Sequence, residues 1–166
     1  MNEKLEFGIR AVVIGICATA VMDLWTASLT RFFGVRATDW AMVGRWVGHF
    51  KDGQFVHDKI SQASPVHNER ALGWFVHYAI GIVFAALLLT IFGLDWARRP
   101  TVVPALIFGI VTVAAPFIIL QPGMGSGIAA SKMPNPTTAR LRSVTAHTVF
   151  GIGLYVSALL STLLIK

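Results

Sequence analysis

An all-α membrane protein with four transmembrane helices is the fold class the sequence predicts. The 166-residue chain is 55% hydrophobic and only 13% charged, about half the charged share of an ordinary soluble domain. Its mean hydropathy is +0.66. Four windows, residues 11–33, 72–94, 101–120 and 144–165, are apolar over the ~17–25 residues a helix needs to cross a bilayer. Together they use more than half of the chain, so residues 1–166 read as a single polytopic domain.

Lys4 and Arg10 precede the first window, which carries Ala18-Thr19-Ala20, features of a cleavable leader. Glu3 and Glu6 offset that basic start, and the apolar run continues through Trp25, Leu29 and Phe33, which favours a retained span. Cys17 is the only cysteine, so an intrachain disulfide is excluded. Asp23 stands in the middle of this span. A carboxylate at that depth costs ~2.5–3.5 kcal/mol on insertion scales, which marks it as a functional position. Thr19, Asp23, Thr26 and Thr30 recur at helical spacing and share one stripe.

Residues 34–71 form a long, partly helical interfacial loop between spans one and two. Thr38 or Asp39 can cap a short helix bearing Trp40, Val43, Trp46 and Val47, a composition suited to the headgroup layer. Asp52-Gly53 reads as a turn, Phe55, Val56 and Ile60 as a second short helix, and Ser64-Pro65 as the start of the helix entering span two. Residues 95–100 are a tight connection that makes spans two and three an antiparallel hairpin. Pro104 and Pro116 bracket span three, and Pro116 predicts local unwinding, because proline has no N–H to give to the helix. The long connections, residues 34–71 and 121–143, then emerge on one membrane face. The basic residues do not decide the orientation: both termini, with Lys4, Arg10 and Lys166, flank one face, and the longer loops carry the larger number on the other.

In span two, Glu69, Gly73, His77, Gly81 and Ala85 repeat every four residues, and in span four Ser143, His147, Gly151 and Tyr155 do the same. Small residues above and below each histidine are what a close helix–helix contact requires. Asp23, His77, His147 and Glu69 are therefore the candidate buried polar site, with His49, His57 and Gln121 as loop contributors. Neutral imidazoles and carboxylates are transition-metal ligands, which makes Asp23, His49, His57, His77 and His147 a candidate metal set; the same groups can relay protons. Taken individually, His49, His57 and His67 each read as a solvated loop histidine.

Gly123-Met124-Gly125-Ser126-Gly127 lacks the spacing of a phosphate loop or a dinucleotide fingerprint. Its amides, with Lys132, Arg140 and Arg142, are candidate contacts for an anionic headgroup or substrate. The net charge of +6 is dispersed rather than gathered on an aromatic-spaced face, so nucleic acid is not a partner; the lipid bilayer and a second copy of the chain are.

The strings ATAVMDLW (18–25), VGRWVGHF (43–50), GQFVHDKI (53–60), LGWFVHYAIG (72–81), TVVPALIFGIVTVAAPF (101–117), QPGMGSGIAASKMPNP (121–136) and AHTVFGIGLYVSA (146–158) resemble a bacterial membrane family designated domain-of-unknown-function family 2938. The resemblance covers nearly the whole chain. It implies a multi-pass protein of the bacterial inner membrane, assigns no activity or cofactor, and takes in Asp23, His49, His57, His77 and His147. Three functions fit these residues: transport or handling of a small solute, proton or metal ion; a metal-dependent or acid–base membrane enzyme acting on a lipid or quinone; and a structural subunit whose buried polar groups only specify helix pairing.

Overall fold

The computed structural model describes residues 2–165; Met1 and Lys166, the latter counted above among the basic flanks, lie outside the described residues. Helix α1 spans Glu3–Phe33, α2 Trp40–Gly48, α3 Glu69–Arg98, α4 Val102–Val111, α5 Gln121–Gly123 and α6 Pro136–Leu164. Pro116–Leu120 is a π-helical turn, and His49–Asp52, Ile60–Gln62 and Ile128–Ala130 are 3₁₀ turns. No strand occurs among the described residues. Four helical stretches, Glu3–Phe33, Glu69–Arg98, Val102–Gly123 and Pro136–Leu164, are long and apolar enough to cross a membrane. The chain is an all-α membrane protein. Large exposed side chains on these stretches, such as Leu24, Phe75, Ile107 and Leu163, are at home in lipid.

Local chemistry sets the ends of α1 and α2. The Asn2 side chain accepts the Lys4 N–H at the start of α1, and Gly34 closes that helix at φ 65°, with the Val35 N–H reaching back to the Leu29 carbonyl. Asp39, one of the two caps expected, accepts the Ala41 N–H at 3.0 Å and starts α2. The second short helix expected around Phe55 does not form. Its backbone instead turns toward the later loop: the His57 N–H donates to the Gly123 carbonyl (2.9 Å) and the Ile60 N–H to that of Met124 (3.1 Å).

Ser64-Pro65 does not begin α3 either. Asn68 takes a left-handed backbone (φ 54°), and the Glu69 carboxylate accepts the Val66 N–H at 3.1 Å, so the helix starts at Glu69. The last span begins at Pro136, ahead of its apolar window, which puts Arg140 and Arg142 on α6 rather than in the loop. The unwinding expected near Pro116 is present as the π turn. Gly93 inside α3 has φ 79° and ψ 169°, a break that its sequence neighbours did not announce.

Two compact units compose the chain: residues 2–36, 78–112 and 145–165 in the first, and 37–77 and 113–144 in the second. The core of the first holds Ile14, Ala18, Ala85, Leu88, Leu89, Ala105, Phe150, Leu154 and Ala158. Its helices meet at small residues, as the four-residue repeats predicted. A Cβ on Gly81 would strike the Thr19 hydroxyl, one on Gly15 the Ile82 backbone, and one on Gly109 the Gly151 backbone. Arg10, only 3% exposed, is enclosed by the Glu6 carboxylate (2.8 Å), the Ser161 hydroxyl (2.8 Å) and the carbonyls of Ala97 and Ile165. Arg98 also donates to Glu6, at 2.7 Å, so α1, α3 and α6 share one charged knot.

Gly81→Val should lower the stability of the detergent-solubilised protein by about 1–3 kcal/mol, because the α1–α3 backbones must separate. Gly8 has nothing within 4 Å of a Cβ, so Gly8→Ala should be neutral or stabilising by up to about 1 kcal/mol. Thermal melts of both variants check the pair of expectations.

Candidate functional site

The polar side chains singled out from the sequence fall into several small groups. In the first unit, Asp23 on α1 accepts a hydrogen bond from the Tyr78 hydroxyl on α3 at 2.9 Å. His147 on α6 meets Thr112 just past α4, with Nδ1 and Oγ1 2.8 Å apart. The single Thr112 hydroxyl proton goes to the Gly109 carbonyl, so His147 Nδ1–H is the donor to Thr112 and Nε2 carries the imidazole lone pair. Neither Tyr78 nor Thr112 is among the candidate site residues that the sequence offers. Tyr78 directly follows His77, and Thr112 lies between the two prolines of span three, closer to Pro116.

In the second unit, His77 is buried beneath tryptophans: its ring stacks on Trp40 at 3.8 Å between centroids, and Trp74 meets it edge-on at 5.8 Å. Backbone proximity makes this cluster. A Cβ on Gly73 would collide with the Trp40 carbonyl, and one on Gly44 with the Glu69 carbonyl, so α2 lies directly on the start of α3. Glu69 is committed to Arg45, whose Nε and Nη2 each donate to one carboxylate oxygen at 2.8 Å. Arg45 also reaches the Ala63 carbonyl at 3.1 Å. Those hydrogen bonds, followed by the attraction of the Glu69 charge, raise the guanidinium pKa against the desolvation that opposes it. Arg45 is thus a structural tie of the loop, which its sequence context of a short amphipathic helix did not reveal.

The most distinctive group is a pair of loop histidines. His49, 7% exposed, closes the C-terminus of α2; His57, 5% exposed, lies on the extended segment after the Asp52-Gly53 turn. Their nitrogens, His49 Nδ1 and His57 Nε2, are 2.7 Å apart. His49 Nε2 lies 3.0 Å from the Ser64 carbonyl, which can only accept, so Nε2 carries a proton. In the neutral pair His49 Nδ1 then accepts from His57 Nε2–H. His57 Nδ1 is left with a lone pair, and it has no hydrogen-bond partner among the described residues. One buried basic atom is therefore open in an otherwise closed chain of bonds. The Ser64 carbonyl closes the other end of the chain.

Of the remaining candidates, Gln121 donates to the Ser143 hydroxyl at 3.4 Å, with its own carbonyl oxygen buried and without a partner among the described residues. Arg140 donates to the Ala129 carbonyl at 2.7 Å, Lys132 and Arg142 are exposed, and His67 is exposed as expected. Among the described residues no group of three or more His, Cys, Asp or Glu side chains is gathered as a metal ion would require. The 2.7 Å His49–His57 contact is a hydrogen bond; two imidazoles on one tetrahedral zinc, with Zn–N ~2.0–2.1 Å, would stand well over 3 Å apart.

Replacing either member of the Arg45–Glu69 pair should destabilise more than replacing both. Glu69→Met alone leaves a buried guanidinium uncompensated and should cost about 3–5 kcal/mol. The double variant Arg45→Met/Glu69→Met should recover a large part of that loss, as read from a double-mutant cycle of chemical denaturation.

A family model described as "Protein of unknown function (DUF2938)" matches residues 12–161. No curated protein matches the chain, and no solved structure does.

Proposed function

We propose, for a chain that belongs to the DUF2938 family, that it moves a small solute, proton or metal ion across the bacterial inner membrane by way of aspartate and histidine side chains. The observation that carries this reading is the buried His49–His57 pair, in which every ring nitrogen is engaged except His57 Nδ1. A buried polar atom without a partner is costly to keep, of order 1–3 kcal/mol, so such an atom is a reasonable place for a passing proton or cation. Asp23 supports the same reading. It is an acid within a membrane-crossing helix, steadied at 2.9 Å by a phenol, and intramembrane acids mark ion and proton pathways.

A second reading has its own observation. The Thr112–His147 bond and the Gly109–Gly151 contact tie two spans together with no chemistry required, as in a structural subunit whose polar groups select helix partners. The two readings part on flux. In proteoliposomes under an imposed pH gradient, with and without added divalent metal ions, Asp23→Asn and His57→Gln should each slow cation or proton movement at least about tenfold while far-UV circular dichroism stays unchanged. Wild-type flux no greater than that of empty vesicles would favour the structural subunit.

A further inference from the structure

We infer that the second unit carries a site for the headgroup of an ethanolamine phospholipid, formed where the loop after α2 meets the glycine-rich loop after α5. This goes beyond the transport reading and involves none of its residues except His57, whose backbone helps to build the wall. A pocket of about 410 Å³ lies here, lined by Val56, Asp58, Gly125, Gly127, Ile128 and Lys132 among others. Its size falls within the ~300–1,000 Å³ of small-molecule sites.

Glycine makes the pocket. Gly125 has φ 89°, and a Cβ there would strike the Asp58 carbonyl; Gly127 has φ 74°, and a Cβ there would strike the Ser131 hydroxyl. The bonds from His57 N–H to Gly123 and from Ile60 N–H to Met124 fix the opposite wall. The two loops that carry the lining are therefore held together backbone to backbone.

Two residues of opposite charge line this one pocket, and neither charge is paired among the described residues. Asp58 and Lys132 are both exposed, and neither makes a side-chain hydrogen bond or ion pair among the described residues. The ligand they complement carries both a cation and an anion within the span of one pocket. Asp58 as an acceptor suits an ammonium with N–H donors, and Lys132, beside the Ser131 hydroxyl, suits a phosphate. A trimethylammonium has no N–H to offer Asp58, and a purely anionic headgroup would be repelled by it. The apolar part of the ligand has a place as well. Val56 is 68% exposed and Ile128 65% exposed on the same lining, an apolar rim that fits the glycerol and acyl region of a lipid better than a free zwitterion in water.

Titration of the full-length protein in mild detergent with phosphatidylethanolamine, phosphatidylcholine and phosphatidylglycerol, followed by native mass spectrometry, tests the inference. Phosphatidylethanolamine should be retained about tenfold better than either of the others, and Lys132→Gln and Asp58→Asn should each lower its retention about tenfold. Asp58→Asn should in addition narrow the gap between phosphatidylethanolamine and phosphatidylglycerol. Both side chains are exposed, so melting temperatures should be unchanged and a loss of binding is not a loss of fold. Equal retention of the three lipids, unchanged retention in both variants, or water-soluble glycerophosphoethanolamine competing as well as the lipid would each overturn it. None of these outcomes depends on whether the protein transports anything.

Discussion

Helices in a bilayer gain little by hiding leucine from lipid tails, which are as apolar as leucine itself, so their pairing depends on how closely their backbones can approach. In the first unit that approach is made at residues without side chains. Gly15 and Gly81 bring α1 against α3, Gly109 and Gly151 bring α4 against α6, and Gly153 lies against Ala18. Close backbones place neighbouring polar groups within bonding distance. Thr19 sits at the Gly81 contact and returns its proton to the Gly15 carbonyl at 2.8 Å, and His147 meets Thr112 one turn from the Gly109–Gly151 contact. The polar groups of the spans follow from the packing.

The second unit obeys the same rule with different material. Gly44 and Gly73 let α2 lie on the first turns of α3, and Gly123 makes room for the Trp46 ring. That ring in turn donates to the Phe55 carbonyl at 2.8 Å. Because backbone rather than side-chain volume sets these distances, the histidines between them are held in defined partnerships: His77 under Trp40, and His49 between His57 and Ser64.

Periodicity carried the four spans and the small-residue stripes on which Gly81 and Gly151 lie, because a helix repeats what it buries every three to four residues. Capping chemistry carried Asp39, and the missing N–H of proline carried the distortion at Pro116. What could not be read lay in side-chain pairings across the first long loop. The Arg45–Glu69 and His49–His57 pairings join residues 24 and 8 positions apart, and no period connects them. The supposed helix at Phe55 was an error of the same origin: its apolar residues were given a helical repeat, whereas the backbone donors of His57 and Ile60 found partners on the second long loop. Arg10 and Arg45, counted as dispersed surface charge, are the two arginines the fold encloses.

The carbonyl of Ser64 has a consequence for counting. A chain of hydrogen bonds that ends on a carbonyl cannot hand a proton onward at that end, so His57 Nδ1 is the one open position of the pair among the described residues. A second proton would set N–H against N–H across the 2.7 Å contact. The two imidazoles are therefore one hydrogen-bonded unit with a single lone pair left over, on His57 Nδ1. A main-chain oxygen, rather than either ring, fixes that number at one.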